Sequence, residues 1–151
     1  MSSSPSVSRI DLRRELRREL RRELRERRRA LSTSQQRLAA RKLQQQLQKL
    51  PELKCAQRIA LYWPNDGEID PRLLMAAKRH HQQLYLPALQ SFPALTLRFV
   101  RWTPRLRMIK NRFGIPEPRR GARLSAHAMD AILMPLVGFD AAGNRLGMGG
   151  G

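Results

Sequence analysis

The stretch from residue 131 to the end constrains this chain most. An apolar run, residues 131–137, leads into Gly138-Phe139-Asp140, then into a glycine-rich segment carrying one arginine, Arg145, and ending on Gly149-Gly150-Gly151. A strand that feeds a glycine-rich loop is how α/β proteins build phosphate sites. Glycine has no Cβ, so Gly147, Gly149, Gly150 and Gly151 can adopt positive φ and bring backbone N–H groups against a ligand. Several N–H groups converging on one concavity bind an anion. Arg145 adds a planar, permanently charged donor fork suited to phosphate oxygens. The spacing is neither a dinucleotide fingerprint nor a P-loop, because no Gly-Lys-Ser/Thr follows. On these residues alone a flexible tail is an equal alternative. Three consecutive glycines finish no packed element, so the chain is expected to be incomplete at its C-terminal end.

Upstream, the pattern alternates helix and strand signals. Residues 1–8 are polar and are expected to be disordered; residues 9–151 are expected to form a single domain. Arg-Arg-Glu-Leu occurs three times from Arg13 to Leu24, in residues that all favour helix. The repeat lines up Leu12, Leu16, Leu20 and Leu24 and pairs Glu15, Glu19 and Glu23 with arginines three or four residues on. Ser32-Thr-Ser-Gln35 reads as a capping box opening a helix that runs to about Lys49. Residues 58–63, 84–86, 96–102 and 131–137 read as strands, and Asn65-Asp66-Gly67 as a turn. Asp70-Pro71 reads as an N-cap and first helical residue, with the helix continuing to about His81. Residues 112–121 read as loop and residues 125–130 as a short helix or turn. Helices alternating with strands predict an α/β fold with a mostly parallel sheet.

Composition removes several classes. No apolar stretch reaches the roughly 20 residues of a membrane span. The N-terminus lacks the apolar core of a secretory signal. The single cysteine, Cys55, cannot form an internal disulfide, which fits a cytoplasmic location, and it reads as a small, at least half-buried hydrophobe. His80 and His81 diverge on a helix, and no other spacing suggests zinc. The net charge of +18 is the competing signal, since strong basicity marks nucleic-acid binders. Residues 9–29 carry eleven arginines against five acids, but no aromatic residue is interleaved to stack bases. A basic nucleic-acid-binding protein is therefore the alternative, with non-specific binding expected.

The segment 135–151 resembles the signature of the 5-formyltetrahydrofolate cyclo-ligase (methenyltetrahydrofolate synthetase) family, up to Gly151. The Tyr-Tyr-Asp that follows in the family has no counterpart here. Three further stretches agree in the family's order: Arg17 to Arg21 followed by Ala30-Leu31-Ser32, residues 59–70 with Trp63 and Glu68, and residues 110–118. The resemblance implies a three-layer αβα Rossmann-like sandwich with an Arg-rich N-terminal helix. It also implies ATP-dependent cyclisation of 5-formyltetrahydrofolate to 5,10-methenyltetrahydrofolate, with Mg²⁺ accompanying the nucleotide.

The same resemblance assigns residues. Arg17, Arg18, Glu19, Leu20 and Arg21 would form an ATP segment in which Arg17 and Arg21 pair with phosphates. Arg145, Leu146, Gly147, Met148, Gly149, Gly150 and Gly151 would cradle them. Trp63 and Glu68, with residues 148–151, would hold the folate. The exact repeat leaves the arginine register ambiguous by four residues. Phe113 could stack on a flat ring or anchor its loop, Lys110 is a weaker phosphate candidate, and Asp140 is read as a turn cap. The family's magnesium-binding aspartate follows the Tyr-Tyr pair, so a truncated or non-catalytic folate-binding relative is a further alternative. The protein is expected to act as a monomer.

Overall fold

The structure is a computed structural model, described for residues 9–89 and 96–149. The chain divides into two compact units. Residues 32–135 form one, and the described residues of 1–31 and 136–151 form the other.

The larger unit is built on a five-stranded sheet in the order β6-β3-β2-β1-β7. Its strands are β1 (Arg58–Ala60), β2 (Gln83–Leu89), β3 (Leu97–Arg101), β6 (Arg123–Leu124) and β7 (Ala131–Ile132). β1 pairs in parallel with β2 and with β7, while β3 runs antiparallel to both β2 and β6. Only β3 opposes the others, so the sheet is mainly parallel, as the sequence pattern predicts. A separate ribbon joins β4 (Met108–Lys110) to β5 (Pro116–Pro118), the latter within residues 112–121 where a loop is expected.

Alternation along the strands builds two cores. Ile59, Leu61, Leu84 and Leu86 point to one face, where they meet Leu47 of α2 (Thr33–Leu47), Leu53 of α3 (Pro51–Cys55) and Leu74 of α4 (Leu73–Ala77). Ala60, Tyr85 and Phe99 point to the other face, against Leu124 and Met129. Ile59, Leu84 and Leu86 are at most 1% exposed, and burying each such side chain is worth about 1.5–3 kcal/mol. Gln82, the buried polar residue among them, donates to Leu53 O at 2.6 Å and accepts from the Arg79 N–H, so its amide is satisfied.

Local chemistry decides where elements start. Ser32 caps α2 through Oγ to the Gln35 N–H, and Gln35 Oε1 accepts from the Ser32 N–H, completing the capping box. Other boundaries differ from the sequence reading. The expected helix of residues 70–81 shortens to α4, whose N-cap is Arg72 without a side-chain cap, because the Asp70 carboxylate turns onto Arg72. β2 runs through Pro87 to Leu89. Its pairing with β1 ends at Tyr85, so the missing N–H of Pro87 falls beyond the shared stretch. The expected long strand of 131–137 keeps only Ala131 and Ile132 in the sheet. Cys55 ends α3 and is exposed, not half-buried as expected.

The smaller unit contains α1 (Arg9–Arg29) and a hairpin of β8 (Gly138–Phe139) and β9 (Arg145–Leu146). Asp140 organises the hairpin turn. Its carboxylate accepts from the N–H groups of Ala142 and Asn144 and from the Asn144 side chain. Those bonds, the Asn144 side chain first, hold its carboxyl below the ordinary range. Asp140 is thus the turn cap that its sequence position suggests. The expected disorder of residues 1–8 concerns positions outside the described residues.

Asp130 fastens β7 to the start of β1. Its Oδ2 accepts from the Arg58 N–H at 2.8 Å and the Gln57 N–H at 2.9 Å, and these bonds lower its pKa. A depressed carboxyl stabilises the fold above its unfolded pKa of about 3.9, and that stability is lost as pH falls through the folded value. Asp130→Ala should therefore lower the urea midpoint at neutral pH. The gap from wild type should close in melts taken well below the carboxylate range.

Candidate functional site

The smaller unit carries a concavity of about 750 Å³ along α1. The arginines lining it are Arg18, Arg21, Arg22, Arg25 and Arg29, opposed by Glu15, Glu19 and Glu26, with Met148 and Gly149 at its edge. Arg18, Arg22, Arg25 and Arg29 recur at helical spacing, which puts them on one face. Glu19 pairs with Arg22 at 3.7 Å and Glu23 with Arg27, which holds part of this charge in place. Five guanidinium groups against three carboxylates leave the surface positive, suited to a polyanion.

Arg21 ties the helix to the glycine segment. Its Nε donates to the Gly147 carbonyl at 2.8 Å. Gly149 has φ +81°, and a Cβ there would stand 2.9 Å from Arg21 Cζ. Glycine at this position satisfies both the backbone conformation and the close approach of the guanidinium. At the other end of the hairpin, a Cβ on Gly138 would stand 2.5 Å from Leu24 Cδ1. Arg28 Nη1 reaches the Leu136 carbonyl at 3.4 Å.

The expected ATP residues therefore separate. Arg18, Glu19, Arg21, Met148 and Gly149 come together at the concavity, and Gly147 touches Arg21. Arg17 is not among the lining residues, and Leu20 lies on the opposite side of the helix, 45% exposed. Arg145 and Leu146 form the strand β9 and do not line the concavity, so the arginine that meets the glycine segment is Arg21. Gly150 and Gly151 lie outside the described residues. Arg25, which with Arg17 and Arg21 forms the four-residue arginine strip that the sequence offers to a phosphate, also lines the concavity, whereas Arg22 and Arg29 were missed because a helix turns in 3.6 residues and not four.

The folate candidates lie in the larger unit, on the loop leaving β1. Asp66 and Gly67 both take positive φ, turning the chain so that Glu68 folds back. The Asn65 N–H donates to Glu68 Oε2 at 3.0 Å, and the Glu68 N–H donates to the Asn65 carbonyl at 3.0 Å. The other Glu68 oxygen has no partner among the described residues and can accept from a ligand's N–H groups. Tyr62 Oη donates to the Ile69 carbonyl at 2.6 Å and braces the loop. Trp63 is partly buried and packs on the main core. Phe113, by contrast, is 60% exposed at the tip between β4 and β5, with the Arg112 guanidinium 4.7 Å above its ring. Lys110 is exposed on the edge of the same ribbon. Among the described residues no group of three or more His, Cys, Asp or Glu could hold a metal, and no helix is long and apolar enough to cross a membrane.

A family model described as the 5-formyltetrahydrofolate cyclo-ligase family matches residues 13–151. The chain belongs to this family. A 5-formyltetrahydrofolate cyclo-ligase of Haemophilus influenzae is 40% identical over 124 residues, covering 80% of this chain and 66% of that protein. One from Escherichia coli K12 is 36% identical over 129 residues, covering 83% and 71%. The chain thus spans about two thirds of the length of these cyclo-ligases. Among solved structures, the 5,10-methenyltetrahydrofolate synthetase of Aquifex aeolicus aligns with a TM-score of 0.77 at 34% identity. That alignment covers 90% of this chain and 69% of that one. The Mycoplasma pneumoniae synthetase aligns with a TM-score of 0.64 at 24% identity, a likeness of fold.

Two glycines, one in the β8–β9 turn and one after β9, separate strain from collision. Gly143 and Gly149 share φ +81°, but a Cβ at Gly143 would meet nothing within 4 Å. Gly143→Ala and Gly149→Ala should each cost about 1–2 kcal/mol in urea melts. Only Gly149→Ala should shift the Arg21 Nε–H resonance.

Proposed function

We propose that this chain binds 5-formyltetrahydrofolate and MgATP and catalyses their conversion to 5,10-methenyltetrahydrofolate, ADP and phosphate. The observation that carries the reading is the arginine concavity, because Gly149, within the segment carrying the family's glycine motif, meets it through Arg21.

The chemistry has two steps. The formyl oxygen on N5 attacks the γ-phosphorus and ADP leaves, which turns the formyl oxygen into a leaving group. N10 then attacks the formyl carbon, the C–O bond breaks, phosphate departs, and the N10 proton is released. Phosphoryl transfer asks a protein chiefly for positioning and charge neutralisation. Arg18, Arg21, Arg22 and Arg25 would neutralise the phosphates, and the backbone of residues 147–149 would approach them closely. Arg17, Leu20, Arg145 and Leu146 would then contribute less than the motif alone implies. Glu68 would accept from the pterin amino and N–H groups while Trp63 offers its ring. Mg²⁺ would accompany the nucleotide and help neutralise its phosphate charge.

Mixing the chain with 5-formyltetrahydrofolate should give the methenyl chromophore only when MgATP is present. Arg21→Ala and Glu68→Ala should each lower kcat/KM at least about tenfold, a loss of about 1.4 kcal/mol of transition-state stabilisation, whereas Arg17→Ala should cost less. Absorbance that rises without ATP, or never rises, would contradict the proposal. The charge of +18 supports a weaker second property, non-specific affinity for nucleic acid. That binding should fade near physiological salt, and RNA binding that is tight and salt-resistant, with no ATP affinity, would favour the nucleic-acid reading instead.

A further inference from the structure

The loop after β1 contains a side-chain arrangement that the family motifs do not mention. The Arg72 guanidinium lies over the Trp63 indole, with Cζ 4.5 Å from the ring centroid. Asp70 holds it there with a two-pronged grip. Arg72 Nε donates to Oδ1 at 2.9 Å and to Oδ2 at 3.1 Å, and Nη2 donates to Oδ2 at 2.7 Å. The Arg72 backbone N–H adds a fourth bond to Oδ1 at 2.9 Å. Both side chains are about one third exposed. Partial burial alone would raise the Asp70 carboxyl, but the Arg72 bonds and charge outweigh it and hold it lower, so the carboxylate stays ionised.

The geometry points to Arg72 as a substrate-positioning residue for Trp63. Trp63 has two constraints: its body packs on the core through Leu-rich neighbours, and one ring face is covered by the guanidinium. The guanidinium occupies that face, so a flat ligand ring cannot stack there. Because Asp70 fixes the guanidinium, the indole is held in one orientation before a ligand arrives, which removes an ordering cost from binding. Arginine suits this role better than lysine, since its planar fork can lie on an aromatic face and grip a carboxylate at the same time. The ligand class is a flat, hydrogen-bonding heterocycle, read at its edge by the nearby Glu68 and at its face by Trp63. This inference rests on the folate reading above and adds Asp70 and Arg72 to it.

The test is binding of 5-formyltetrahydrofolate and of MgATP to the whole chain, with wild type compared to Arg72→Ala, Arg72→Lys and Asp70→Asn. Arg72→Ala should weaken folate binding at least tenfold and leave MgATP within twofold. Asp70→Asn should follow it, and Arg72→Lys should fall between, keeping the cation and losing the fork. In turnover, KM for the folate should rise with kcat unchanged. Trp63 emission, read in a Trp102→Phe background, should become more accessible to acrylamide in Arg72→Ala before any ligand is added. Equal folate affinity in wild type and Arg72→Ala would overturn the inference and leave the proposed function standing. Equal weakening of folate and MgATP would overturn it too, by showing a general loss of structure. Failure of the wild type to bind folate would remove the proposed function and this inference together.

Discussion

The approach of Arg21 to the glycine segment is the constraint on which the proposed nucleotide site depends. One guanidinium bonds to the Gly147 carbonyl and lies where a Cβ on residue 149 would intrude. Any side chain there would meet both a strained backbone and an occupied space. Gly149 is therefore favoured by a helix arginine as well as by its backbone conformation, whereas a Cβ at Gly147 would meet nothing within 4 Å. The same contact places Met148 and Gly149 at the edge of a surface where five arginines outnumber three glutamates. Like charges on one helix face repel and destabilise it slightly. A polyanion relieves that repulsion, which is the physical reason to read this face as a phosphate site.

The folate candidates obey a different logic, one of preorganisation. The loop after β1 keeps its shape through two consecutive residues at positive φ, the Glu68–Asn65 bonds, and the Tyr62 bond to Ile69. Its base is anchored by the buried strand residues Ile59 and Ala60 and by Leu61 just after them. A rigid loop leaving the carboxyl end of a parallel strand is where open α/β sheets place ligand groups. Glu68 and Trp63 thus inherit their positions from the sheet.

How much of this was legible in the sequence depended on whether the determining interaction was local. Ser32 and Gln35 are three residues apart, so the capping box could be read directly. The Arg-rich helix was equally plain, because its residues favour helix and nothing interrupts them. The arginine register was not, since an exact four-residue repeat conceals the drift of a 3.6-residue turn. Arg17 and Arg21 were preferred for their distance to Ala30-Leu31-Ser32, and the drift is why Arg22 and Arg29 were overlooked. β5 was hidden by its own prolines, Pro116 and Pro118, which a strand tolerates at a ribbon edge. The helix expected from Asp70-Pro71 failed for a subtler reason. Asp70 could cap a helix or grip Arg72, and the sequence alone does not show that Trp63 waits beneath that guanidinium. The family likeness nominated Glu68 and Trp63, but the partners that hold them emerged only from the folded loop.

The most direct test of the phosphate site is an amide and arginine side-chain NMR titration of the chain with MgATP, with adenosine as the control. Saturable shifts confined to Arg18, Arg21, Arg22, Arg25 and residues 147–149, present with ATP and absent with adenosine, are predicted. Shifts that never saturate, or that spread evenly over every arginine of α1 while residues 147–149 stay still, would contradict the account.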